Sequence, residues 1–148
     1  MSQLQKIGQI QKLFISDTTA KKRVQQNTIN IDEKGINNDK FYNTDQDRSI
    51  LLTSLHAYKL MEDINVKATH GVLGENILLD FNPYTLEEGT KLFIGECILQ
   101  ITIECTICKS LTKINNKVPK LLKKDRGVFA KVIQKGSLNI GDDITIQN

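Results

Sequence analysis

A chain of 148 residues with a net charge of +3, 39% hydrophobic and 25% charged residues reads as one folded domain over residues 1–148, too apolar to be disordered. No run of about 18 uncharged apolar residues occurs, which excludes a membrane-spanning helix, and Met1 to Lys6 lack the charged-then-apolar plan of a signal peptide. A cytoplasmic address is expected.

In chain order, the apolar pattern is mostly the period-two alternation of strands. Ile10 to Ile15 is a first strand after Gly8, and Thr28 to Ile31 a second. Residues 32–39 are rich in turn formers and predict a loop. Ser49 to Thr53 is a third strand running into Ser54, a candidate N-cap. Leu55, Tyr58 and Met61 then give a helix its apolar stripe. Asn76 to Phe81 is a short strand, followed by a turn at Asn82-Pro83-Tyr84. Leu92 to Ile94 and Cys97 to Glu104 form the strongest strand pair, with Cys97, Leu99, Ile101 and Ile103 on one face. Lys109 to Ile114 and Val118 to Lys124 are weakly helical, and strands at Val128 to Gln134 and Asp143 to Gln147 close the chain. A short echo relates Leu92 to Ile98 and Leu138 to Ile144, each two apolar stretches around a Gly-acid turn. Many short strands with tight turns predict a mainly β fold, a small closed barrel or sandwich, with two or three short helices.

Basic residues comprise 17 Lys and 3 Arg, with no Trp. The runs Lys21-Lys22-Arg23 and Lys117 to Arg126 read as solvated surface, and no nucleic-acid or membrane partner is expected. With 19 Ile and 12 Asn, composition pulls towards Lys. Each Arg is therefore informative, because Lys cannot copy a planar bidentate fork.

Cys97, Cys105 and Cys108 are an odd number, which favours reduced thiols over a disulfide framework. Cys105-Thr106-Ile107-Cys108 sits at the end of the most apolar strand. A zinc site lacks a second ligand pair, and a thioredoxin-like redox pair lacks its βαβ context. Two readings stay open: small packing residues at a strand end, or a thiolate at Cys108 favoured by the following helical turn and by Lys109 and Lys113.

Six segments, in order, resemble the MOSC domain, named for the C-terminal domain of molybdenum-cofactor sulfurases. They are Gly35-Ile36-Asn37-Asn38-Asp39, Arg48 to Leu52, Gly71-Val72-Leu73-Gly74-Glu75-Asn76-Ile77, Gly89 to Gly95, Glu104 to Cys108, and Arg126 to Val132 with Gly136 to Asp142. Asn38 stands where the family has Gly, and Ile107 where it has Pro before the key cysteine. The resemblance implies a closed β-barrel of the pyruvate-kinase barrel type. It implies a molybdenum cofactor (molybdopterin), with Cys108 as metal ligand or persulfide carrier and Cys105 as a second thiol. It also offers Arg48, Asp39, Glu75, Asn76, Lys109 and Arg126 as cofactor contacts. For all of these but Asn76 the residues alone allow a second role: an ion pair of Arg48 with Asp45 or Asp47, capping of its own turn by Asp39, and buried backbone donors for Glu75. Surface charge is the alternative for Lys109 and Arg126. His56 and His70 are assigned no catalytic role.

The implied activities are cofactor binding or sulfur carriage, in company with a sulfurase or a molybdoenzyme. Alternatives are a molybdenum-dependent reductase of N-hydroxylated compounds, and a non-catalytic interaction module. A reductase would need a separate electron-donor protein, because the chain has no flavin, haem or iron–sulfur motif, and no zinc is expected.

Overall fold

The computed structural model describes residues 3–17, 23–105 and 109–147. The elements are β1 (Leu4–Ser16), β2 (Arg23–Gln26), β3 (Thr28–Asp32), β4 (Gly35–Ile36), β5 (Ile50–Ser54), α1 (Leu55–Asp63), β6 (Ile77–Leu79), β7 (Lys91–Ile94), β8 (Cys97–Glu104), α2 (Val118–Leu121), β9 (Val128–Gln134), β10 (Gly136–Asn139) and β11 (Asp143–Gln147). Short 3-10 helices cover Gln46–Arg48, Pro83–Thr85 and Lys109–Lys113.

Seven strands close a mainly β barrel in the order β11-β7-β8-β9-β5-β6-β1, with β1 pairing back onto β11. Closure removes the free edges that an open sheet would leave. Strand β1 pairs with β11, then β6, then β2, bending between them at two register shifts, Lys6/Gly8 and Ile10/Lys12. The β5–β6 pair is parallel, so the chain must cross over between them, and α1 lies on that crossover. A separate three-stranded sheet runs β10-β3-β4.

Alternation along the strands decides which side chains enter the barrel. Ile50 and Leu52 of β5, Ile77 and Leu79 of β6, and Val128 and Ala130 of β9 join its interior. Leu78, between two of these, instead packs outside with Phe14, Ala57, Tyr58 and Met61 beneath the helices. Strand β6 is apolar at every position because both its faces are covered. Among the described residues no helix is long and apolar enough to cross a membrane.

Three local expectations are refined. Ser54 occupies the N-cap of α1 in extended conformation, but its hydroxyl makes no capping bond. In β8 a register shift between Ile101 and Glu104 breaks the alternation, so Thr102 is buried and Ile103 only half-buried. Asn38 adopts φ 68°, the left-handed conformation that a short polar side chain tolerates best after Gly.

Candidate functional site

The site forms on the outside of the β5–β9 pair. Leu51 and Phe129 are cross-strand partners, and because their neighbours point into the barrel, these two face outward. Both line a cavity of about 370 Å³, within the roughly 300–1,000 Å³ usual for small-molecule sites. The 41–49 segment, Gly74, Asn76, Cys105, Arg126 and Arg23 supply the other walls.

All three arginines of the chain, Arg23, Arg48 and Arg126, line this cavity, and among the described residues no lysine does. The reading of both basic runs as solvated surface is therefore corrected at two positions. Arg126 is buried at 7% exposure, while Lys117, Lys120, Lys123 and Lys124 of the same run are exposed. Arg23 is drawn in because β2 folds back on β1, placing it opposite Ser16. Lys21 and Lys22 lie outside the described residues.

Burial lowers the Arg23 pKa, opposed by the negative charges of Asp39 and Glu75. Its Nη1 is buried and has no hydrogen-bond partner among the described residues. Arg126 is positioned from both ends: Nη2 donates to the Leu73 carbonyl at 3.1 Å, and its own carbonyl accepts from the Thr53 hydroxyl at 2.9 Å. The two guanidinium groups converge on Gly74. A Cβ there would lie 3.8 Å from Arg23 Nη2 and 4.0 Å from Arg126 Nη2, and the backbone has φ +89°. Arg48 sits at the rim, more than half exposed, with Nε 3.7 Å from Asp45 and its guanidinium carbon 5.8 Å from the Phe129 ring centre. The expected pairing with Asp45 is thus present, within the cavity wall.

The remaining candidates divide. Asn76 lines the cavity, but its amide is engaged by backbone: Oδ1 accepts from Leu51 N–H at 3.0 Å and Nδ2 donates to the Phe14 carbonyl at 3.3 Å. Asp39 and Glu75 do not line it. Asp39 accepts from the amides of Ser16 at 2.6 Å and Phe41 at 3.0 Å, capping its own turn. Glu75 is fully buried. Its Oε2 accepts from Tyr58 at 2.6 Å and Gly71 N–H at 3.2 Å, and burial raises its pKa, with the Tyr58 bond opposing.

Cys105 is buried and lines the cavity. Its amide donates to the Gly127 carbonyl at 2.9 Å, and its carbonyl accepts from the Tyr84 hydroxyl at 3.1 Å. The assignment of Cys108, and that of the Lys109 side chain, lie outside the described residues. Cys97 points into the barrel core, where burial pushes its thiol up to about 11. Among the described residues no group of three or more His, Cys, Asp or Glu is placed to hold a metal. His56 faces Asp125 at 3.7 Å, and His70 meets the Tyr58 ring edge-on at 4.7 Å.

Sequence reasoning missed Arg23, Leu51 and Phe129 as site residues. The scarcity of arginine was the one signal pointing at Arg23.

Residues 38–145 match the family model of the MOSC domain. A search of curated protein sequences gives no match. Among solved structures, the YUAD protein from Bacillus subtilis superposes with a TM-score of 0.83 at 16% identity, covering 100% of this chain and 99% of that one. YiiM from Geobacillus stearothermophilus gives 0.71 at 17% identity, covering 95% and 75%. YiiM from Escherichia coli gives 0.73 at 15%, covering 95% and 69%. At these identities the likeness is one of fold.

Proposed function

The chain belongs to the MOSC domain family, and we propose that its pocket binds the molybdenum cofactor, with Cys108 as thiolate ligand or persulfide site. The observation that carries this reading is the convergence of all three arginines and Cys105 on one cavity. Guanidinium forks suit the anionic end of such a ligand, and a thiolate suits its soft metal.

The buried, unpartnered Nη1 of Arg23 fits the group, since an uncompensated buried donor is costly until an acceptor reaches it. Arg126, fixed by the Leu73 carbonyl, and Arg48 at the rim supply further positive charge. Leu51 and Phe129 offer an apolar floor to a flat ring. Gly127 holds Cys105 through its carbonyl, fixing the start of the segment that carries Cys108. When bound, the cofactor supplies the redox-active metal.

The test is molybdenum and pterin content per chain after purification from a host that makes the cofactor, with Cys108→Ala alongside. Near-stoichiometric metal in the parent that is lost in the variant is expected. No metal in either preparation would sink the cofactor reading, and mass analysis of Cys108 would then look for a persulfide. Assay of loaded protein on N-hydroxylated compounds, with a supplied electron donor, separates a reductase from a carrier.

A further inference from the structure

We propose that Arg23 and Arg126, converging on Gly74, form an oxyanion-binding subsite that takes a phosphate group. The proposal rests on the pocket being a ligand site and deepens that reading, because it assigns one end of the pocket to one chemical class. Arg23 also lies before residues 38–145, the span matched by the family model.

Three observations carry it. The Nη2 atoms of both side chains lie within 4.0 Å of the place where Gly74 would carry a Cβ. That space is left open because Gly74 has no side chain, and its φ of +89° disfavours any replacement that would fill it. Arg23 Nη1, on the same guanidinium as the Nη2 beside Gly74, is buried without a hydrogen-bond partner among the described residues, so this fork carries an unused donor. Arg126 is pinned by its bond to the Leu73 carbonyl, which orders one fork before any ligand arrives.

Two like charges brought together out of water repel, and their burial costs free energy unless anions answer them. Asp39, Glu75 and Tyr58 bear on Arg23 electrostatically, and Asp39 and Glu75 are outside the cavity wall. On the cavity side the lining residue with a carboxylate is Asp45, already paired with Arg48. An oxyanion on the cavity side therefore meets two guanidinium groups, and the acids that bear on Arg23 do not line that cavity. Phosphate is the fitting class because its several oxygens can accept from two planar forks together.

The test is titration of metal-free protein with inorganic phosphate, followed by NMR at the Gly74 amide and the arginine Nε–H groups. Saturable shifts are expected at Gly74, Arg23 and Arg126. Arg23→Gln should weaken binding about tenfold or more, and Arg23→Lys, which keeps the charge and loses the fork, should fall between. A well-dispersed spectrum of each variant establishes that it is folded. Because the protein titrated holds no metal, the subsite stands or falls separately from the metal reading. No saturable shift in the parent, or unchanged binding in folded Arg23→Gln, would overturn the proposal. Repeating the titration on cofactor-loaded protein identifies the source: blocked shifts mean the cofactor's own phosphate fills the subsite, and retained shifts mean free phosphate does.

Discussion

The Tyr58 hydroxyl donates to Glu75 Oε2 at 2.6 Å, and both side chains are buried beneath the turn that ends at Gly74. The same hydroxyl accepts from the amides of Gly71 at 3.0 Å and Leu73 at 3.4 Å. One phenol and one carboxyl thus satisfy the backbone of the turn that holds Arg126 through the Leu73 carbonyl.

Glu75 makes stability pH-dependent in a definite sense. Burial raises its pKa above the ordinary 4.5, so the folded chain holds this proton more tightly than the unfolded chain. The stabilising contribution is complete below the unfolded value and is lost as pH rises through the folded one. Glu75→Gln keeps an acceptor for Tyr58 and cannot ionise. Urea midpoints measured across that range should show the parent losing stability relative to Glu75→Gln as pH rises. A parent-minus-variant difference independent of pH would refute this assignment.

Asn76 gives a prediction about structure rather than ligand. Its amide satisfies the Leu51 N–H and the Phe14 carbonyl, joining β5 to β1 just before β6 begins. Asn76→Ala strands two buried backbone groups and should cost about 2–4 kcal/mol in denaturant unfolding. An unchanged midpoint would show that the two groups find other partners.

Gly127 tests how the pocket is framed. A Cβ there would run into the Leu52 carbonyl and come within 2.8 Å of the Thr53 hydroxyl oxygen, at φ +148°. Gly127→Ala must therefore part β5 from β9 and displace Arg126 and Cys105 on either side of the contact. A loss of stability above about 4 kcal/mol is expected. Gly89→Ala, with nothing within 4 Å of the added atom and φ +91°, should cost only the backbone strain, about 1–2 kcal/mol. Equal losses in thermal or urea unfolding would show that strain, not the clash, dominates.

Strand alternation made β9 and β11 legible to the residue, because each has one face in the barrel. It carried β8 as far as Ile101, where a bulge that no local pattern marks turns the next residues over. The echo was legible as two similar turns, but not in its pairing. β7 and β8 form a hairpin, whereas β10 pairs with β3 and β11 with β1 and β7. Arg23 was hidden for a related reason. Its neighbours in sequence are charged, and only the return of β2 along β1 places it beside Gly74. Asp39 and Glu75 stand in family-like motifs where tight turns need acceptors, which sequence alone does not separate from ligand contact.

The barrel's closing seam pairs Leu4 with Gln147, positions separated by nearly the whole described sequence. A nascent chain leaving the ribosome in order exposes β1 long before β11 exists. Such distant pairing makes closure a late event in folding, and β1 and β7 keep unpaired edges open to other chains until then. Arg23 rides on β2, which is paired with β1, the strand that waits longest for its last partner. A chain stalled before β11 would carry Arg23, Arg126 and Cys105 on strands whose barrel is not yet closed.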